Sequence, residues 1–231
     1  MVRRFFIDVE TLPPPEESRL LINPELVKRL CRKRGTLSAD EQFRLLSLHA
    51  EYGRVLAVGV IIEEDWRVIR CGVLGRDRTT GLFHLDEART LRGFWKLLKD
   101  FNARRDLIIG HNIMDFDLPY LYKRSRINRV LPGVLFSFAR YRNVPIFDTM
   151  REWTHWSPQA GYISLTDLAD VLKVGAAKLD GMDGGRVYDE FMLGNHEFIA
   201  DYCLQDVKVA RAVYYRMVFP EGPEPQEVGS L

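Results

Sequence analysis

The spacing of apolar and polar positions changes character along the chain. Over Val2–Val9 it alternates with a period of two. Phe5, Ile7 and Val9 share one face, while Phe6, Asp8 and Glu10 share the other, which predicts a strand. Pro13, Pro14 and Pro15 end regular structure, because three prolines in a row offer no backbone donor. Two helices are expected next. Asn23 caps the first, with Pro24 at its first helical position, and Gly35 ends it. Ser38 and Glu41 form a capping box for the second, and Gly53 stops it. Arg54–Glu63 and Trp66–Leu74 then read as two strands joined at Glu64–Asp65, a hairpin.

Beyond the hairpin the period lengthens. Leu91, Phe94, Trp95 and Leu98 give Asp86–Asn102 a helical spacing. Asp106–Gly110 is a short apolar strand, followed by a helix from Asp117 to Arg124 and another short strand at Val144–Phe147. Leu165–Leu172 reads as a helix, and Asn195–Val218 as a long amphipathic one. This order predicts an α/β fold, a mixed central sheet of about five strands flanked by helices. One domain is expected over residues 1–219, with a helical insertion at 13–53 after the first strand. The tail 220–231, rich in Pro, Glu and Gly, is expected to be disordered.

Composition narrows this little. Of 231 residues, 46 % are hydrophobic and 28 % charged, an ordinary globular balance. A net charge of +1 argues neither for nor against a nucleic-acid partner, so any basic surface must be local. Cys31, Cys71 and Cys203 are scattered without metal-type spacing, which fits a reducing compartment. The longest apolar run, Val55–Ile62, is too short to span a bilayer, and the N-terminus lacks a signal-peptide core. A soluble cytoplasmic protein with no membrane partner is expected.

Candidate chemistry lies where the pattern is violated. Asp8 and Glu10 interrupt an apolar strand, and an unpaired buried anion costs several kcal/mol or gives up its charge. In the last helix, Asp206 sits in the middle of a stripe formed by Ile199, Tyr202, Ala210, Val213 and Met217. Asp201, Lys208 and Arg211 are assigned to the opposite face. Tyr202 lies one turn before Asp206, so the two side chains are neighbours. In "IIGHNIMDFDLPYL" a strand ends at His111 and Asn112, and a helix begins near Asp117. Ligands of α/β sheets gather outside such strand ends. Each residue also has a plainer reading: Asp117 or Asp115 as a helix cap, Glu10 as a solvated strand end, Tyr202 as core, Asp148 as a loop or cap residue. A compact carboxylate cluster, however, cannot stay ionised without a cation. Hard oxygen ligands suit Mg²⁺ or Mn²⁺.

Asp8-Val9-Glu10, Asn112…Phe116-Asp117 and Tyr202-x-x-x-Asp206 resemble the three motifs of DEDDy-type 3′–5′ exonucleases, which have a ribonuclease H-like fold. The helical insertion leading to "YGRVLAVGV", and "AAKLDGMDGGRVYDEF", resemble a subgroup related to the proofreading domain of family-B DNA polymerases. The resemblance implies that Asp8, Glu10, Asp117 and Asp206 hold two divalent cations, and that Tyr202 orients the attacking water. It implies that Asn112 and Phe116 shape the site near the terminal nucleotide, with His111 and Lys178 also near substrate. The implied reaction is metal-dependent hydrolysis of single-stranded ends to nucleoside monophosphates, with DNA ahead of RNA. Rival readings are an RNA exonuclease of the ribonuclease D kind, a catalytically silent nucleic-acid-binding module, and a recombination-type nuclease. No polymerase-like stretch follows, so a stand-alone module or a component of an assembly is expected. Val27–Arg34 and Tyr122–Arg129 offer basic clusters for phosphates, and Trp153, Trp156 and Tyr162 are candidates for stacking on bases.

Overall fold

The computed structural model describes residues 1–31, 36–157, 159–174 and 184–219. Lys178, Gly35 and the tail 220–231 lie outside them. Five strands form one sheet: β1 (Arg3–Leu12), β2 (Arg54–Glu64), β3 (Arg67–Leu74), β4 (Leu107–Gly110) and β5 (Ile146–Asp148). Their order is β3-β2-β1-β4-β5. The first three strands run antiparallel, while β4 and β5 are parallel to β1. This is the mixed sheet of a ribonuclease H-like α/β fold.

The helices are α1 (Pro24–Cys31), α2 (Ala39–Leu45), α3 (Glu87–Leu97), α4 (Asp117–Ile127), α5 (Thr149–Trp153), α6 (Leu165–Leu172), α7 (Val187–Met192) and α8 (His196–Val218). Asn23 accepts from the Glu25 N–H at the start of α1. The capping box of Ser38 and Glu41 is present at α2. That helix gives way to a 3-10 turn at Leu46–Leu48 before Gly53 is reached. Gly53 instead makes room for α4: a Cβ there would stand 2.3 Å from the Tyr120 hydroxyl.

Strand β1 is covered on both sides. Phe5, Ile7 and Val9 pack with Leu91, Phe94 and Trp95 of α3 and Leu118 and Leu121 of α4. Phe6 packs on the other face with Tyr214 and Tyr215 of α8. Coverage on both faces explains why β2 is a continuous apolar run rather than an alternating one. The expected polar face of α8 is overturned at Arg211. It is buried, and its Nε donates to the Glu63 carboxylate at 2.5 Å. The Tyr215 hydroxyl bonds the same fully buried carboxylate. An arginine on an otherwise polar helix face is drawn inward because the sheet presents it with an anion.

Two features of the sheet set up the site. The pairing of β1 with β4 ends at Phe6↔Ile109, while β1 continues to Leu12. The C-terminal half of β1 therefore projects beyond β4 along one edge. On the other edge, Asp8 faces Gly59 of β2. A Cβ at Gly59 would lie 2.8 Å from Val207 Cγ2 and 2.9 Å from Cys203 Sγ, so the missing side chain lets α8 lie directly on the sheet.

Candidate active site

The overhanging half of β1 carries Asp8 and Glu10. At the end of β4 the chain turns at Asn112, whose φ is 59°, and returns as α4. Gly110 permits the turn, since a Cβ there would meet Ile113 Cγ2 at 2.2 Å and the Ile7 carbonyl at 2.8 Å. Asp117, the first residue of α4, then meets β1 where β4 has stopped. Its carboxylate accepts a hydrogen bond from the Val9 N–H, taking the place of the absent strand. Asp115 does not cap α4; it is ion-paired with Arg151. From the other side, α8 brings Tyr202 and Asp206. The turn between them is occupied by Cys203, whose Sγ lies 3.9 Å from the Asp8 carbonyl.

These residues line one cleft of about 670 Å³, together with Asn112, Phe116, His111, Tyr162 and the start of α6. Glu10 and Asp117 are buried; Asp8 and Asp206 are partly so. Among the described residues no lysine or arginine lines it. The four carboxylates therefore suffer burial without compensation. Asp8 is pushed well up, by burial first and then by Glu10, Asp117 and Asp206. Burial raises Glu10 to about 8, aided by Asp206 and Asp117. Asp117 rises to about 7 through burial, with Asp148 adding to it and backbone N–H groups opposing. Burial raises Asp206 to about 6 against the hydrogen bond it receives from Tyr202. Burial and the carboxylates beside it also keep the Tyr202 hydroxyl protonated.

Such a set fits divalent cations. The oxygens are hard, they line one cleft, and no described lysine or arginine there neutralises them. Carboxylate oxygens of Asp8 and Glu10 and the Cys203 thiol lie within 4.8 Å of one another. Burial and the neighbouring carboxylates hold that thiol protonated, so it suits a hard ion poorly.

The remaining expected residues divide. Asn112 and Phe116 line the cleft beside Asp117, and Tyr162 stands exposed at its wall. His111 also lines it, yet both its ring nitrogens are taken by the protein. Nε2 donates to the Ile163 carbonyl and Nδ1 meets the Thr149 hydroxyl, each at 2.9 Å. His111 therefore ties the Tyr162 loop to the strand end and has no ring nitrogen left for a substrate. The basic cluster at Tyr122–Arg129 is consumed by the fold at two of its four cations, while Arg126 and Arg129 stay exposed. Lys123 pairs with Glu51 at 2.8 Å and Arg124 with Glu87 at 2.6 Å. Trp153 and Trp156 lie outside this cleft.

Asp148 contributes more than a cap. It accepts from Met150 and Arg151 at the start of α5, and also from the N–H groups of Asn112 (3.0 Å) and Met114 (2.9 Å). One carboxylate thereby fixes the loop that delivers Asp117. The sequence signal was present, an aspartate ending a short strand, but its second pair of donors comes from 36 and 34 residues away.

The fold and the cleft together define a ribonuclease H-like domain with four acidic residues at the end of its central strand. The chain belongs to the family described as "Predicted 3′-5′ exonuclease related to the exonuclease domain of PolB", which matches residues 46–224. Asp117, Tyr202 and Asp206 fall inside that match, and Asp8 and Glu10 before it. The chain is 27 % identical over 147 residues to the DNA polymerase catalytic subunit of Saimiriine herpesvirus 2 (strain 11), covering 60 % of this chain and 13 % of that protein. The family B DNA polymerase from the hyperthermophilic archaeon Pyrobaculum calidifontis has the same fold over 94 % of this chain and 25 % of its own, with a TM-score of 0.60 at 18 % identity. The chain is thus a PolB-like exonuclease domain that spans a small part of the length of these relatives. Among the described residues no helix is long and apolar enough to cross a membrane.

Proposed function

We propose that the protein is a metal-dependent 3′–5′ exonuclease that hydrolyses single-stranded DNA ends to nucleoside monophosphates. One observation carries the reading: Asp8, Glu10, Asp117, Asp206 and Tyr202 arrive from a strand and two helices into one cleft with no described lysine or arginine. A structural role does not require four uncompensated carboxylates, and anions alone would repel a polyanion.

Two divalent cations, Mg²⁺ or Mn²⁺, held by Asp8, Glu10, Asp117 and Asp206, would activate the attacking water and stabilise the leaving oxygen. Asp8 would be the central ligand, since it lies on β1 between α8, which packs on Gly59 opposite it, and Asp117, which bonds the Val9 N–H beside it. Tyr202 keeps its proton and so serves as a donor or relay that orients water rather than as a base. Asn112 and Phe116 bracket the terminal nucleotide from the loop beside Asp117. Asp148 and His111 act indirectly, by holding the two loops that form the walls.

The test is incubation with Mg²⁺ or Mn²⁺ and a 5′-labelled single-stranded DNA, the matching RNA, and a 3′-blocked DNA. A descending ladder on DNA and none on the blocked strand is expected. A ladder on RNA alone would move the substrate to RNA, and products from the blocked strand would overturn the 3′–5′ polarity.

A further inference from the structure

The loop 112–117 has a second side. Asn112, Phe116 and Asp117 face the acidic cleft, while Met114 and Asp115 line a smaller cleft of about 310 Å³ behind it. Pro119, Phe138, Arg140, Arg151 and Trp156 complete its wall. The volume is at the low end for small-ligand sites. Its chemistry is the reverse of the first cleft's: aromatic and basic, with the one acid neutralised. Asp115 is ion-paired with Arg151, so it does not repel a phosphate. Arg140 is exposed, with no ion pair among the described residues. The rings are held in place. Trp156 Nε1 donates to Glu152 at 3.0 Å and Tyr141 packs against the indole at 5.7 Å. Phe138 meets Tyr122 edge-on at 5.8 Å.

We propose that this second cleft binds a nucleotide of the same single strand whose 3′ end lies in the acidic cleft. This rests on the exonuclease reading. Phe138 and Trp156 would stack on a base and Arg140 would take its phosphate. The strand would cross the loop at its exposed tip, Asp115. Such a grip answers a need the first cleft leaves open, for its described lining holds five carboxylates, Asp167 among them, and no lysine or arginine to neutralise the following phosphates.

The experiment uses 3′-blocked, 5′-fluorescein-labelled (dT)₂ and (dT)₁₀ with Mn²⁺, read by fluorescence anisotropy, for wild type, Phe138→Ala, Arg140→Ala and Arg140→Lys. Turnover of unblocked strands is measured alongside. Phe138→Ala should weaken (dT)₁₀ binding by roughly 5- to 150-fold, the range for one lost stack. Arg140→Ala should lower the slope of log K against log salt by about 0.7, one phosphate contact, and Arg140→Lys should restore it. Binding and turnover of (dT)₂ should not change in any variant, which also shows that each is folded. (dT)₁₀ binding equal to wild type in both alanine variants would overturn the proposal and leave the exonuclease reading intact. A wild type that binds (dT)₁₀ through Phe138 and Arg140 but degrades no strand would leave the site and remove the enzyme.

Discussion

Gly59→Ala tests whether the spacing between α8 and the sheet sets the geometry of the acidic cleft. The added methyl would stand 2.8 Å from Val207 Cγ2, 2.9 Å from Cys203 Sγ and 3.0 Å from the Cys203 carbonyl. Carbon contacts settle at about 3.5–4.0 Å, so the deficit is roughly 0.7 Å or more. Val207 and Cys203 are fully buried, and one of the three contacts is backbone, so side-chain rotation cannot absorb it. The helix must withdraw, and Tyr202 and Asp206, which flank these two residues, withdraw with it. Overpacking of this kind costs about 1–3 kcal/mol of stability. Misplacing reacting groups by about 1 Å costs about a hundredfold in rate. Activity should therefore fall much further than stability does, and the rise in melting temperature produced by Mn²⁺ should shrink. Gly93→Ala is the control: its methyl meets nothing described nearer than Leu74 at 3.7 Å, and a helix interior gains about 0.5–1 kcal/mol from the exchange. The assay is the 5′-labelled ladder with Mn²⁺, with thermal melts in chelator and in Mn²⁺. Wild-type turnover and an undiminished Mn²⁺ shift in Gly59→Ala would refute the argument.

Tyr202→Phe should lower turnover by roughly ten- to a thousandfold with little change in melting temperature, as loss of one positioned hydroxyl predicts; unfolding without a specific kinetic loss would make Tyr202 a core residue. Asp206→Asn removes one repelling charge, so in chelator it should melt no lower than wild type while losing most of the Mn²⁺-induced rise; equal rises in both proteins would show that Asp206 holds no cation. Carboxyls raised on folding cost stability as they ionise. The metal-free protein should therefore lose stability as pH rises from about 4, where the unfolded chain ionises, through the folded values of about 6, 7 and 8, and excess Mn²⁺ should flatten that decline. A melting temperature independent of pH in chelator would contradict it. Arg211→Met leaves the buried Glu63 carboxylate without its guanidinium and should cost about 3 kcal/mol in urea unfolding; a change under about 0.5 kcal/mol would show that another group compensates.

The parts of the fold that could be read from sequence were those with repeated periodicity. The alternation Phe5–Phe6–Ile7 survives as two faces of β1, and α8 is long enough for Asp206 to stand out from its stripe. Helices α5 and α7, of five and six residues, have too few turns to show a period. Strand β1 runs three residues past Val9 because β2 keeps pairing with it there, across a bulge between Glu10 and Thr11, which no local pattern encodes. The acidic residues were visible because each violates an apolar context. Gly59, the bonds of Asp148 to Asn112 and Met114, and the pairing of Arg211 with Glu63 were not, because their meaning depends on partners far along the chain. Each is an ordinary residue in its own segment.

The loop held by Asp148 separates two kinds of change during descent. The segment 128–145 packs Val130 and Phe136 into the core beneath β1 and α4 and returns the chain to β5, where Asp148 fixes Asn112 and Met114. Between those ends the segment has no described helix or strand and exposes Leu131, Leu135 and Tyr141. If the second cleft binds the strand as proposed, substitutions at its exposed positions would alter which polymer is gripped, and how firmly, without touching the acidic cleft. Under that proposal, substrate preference and chemistry rest on separate parts of the chain and can change independently.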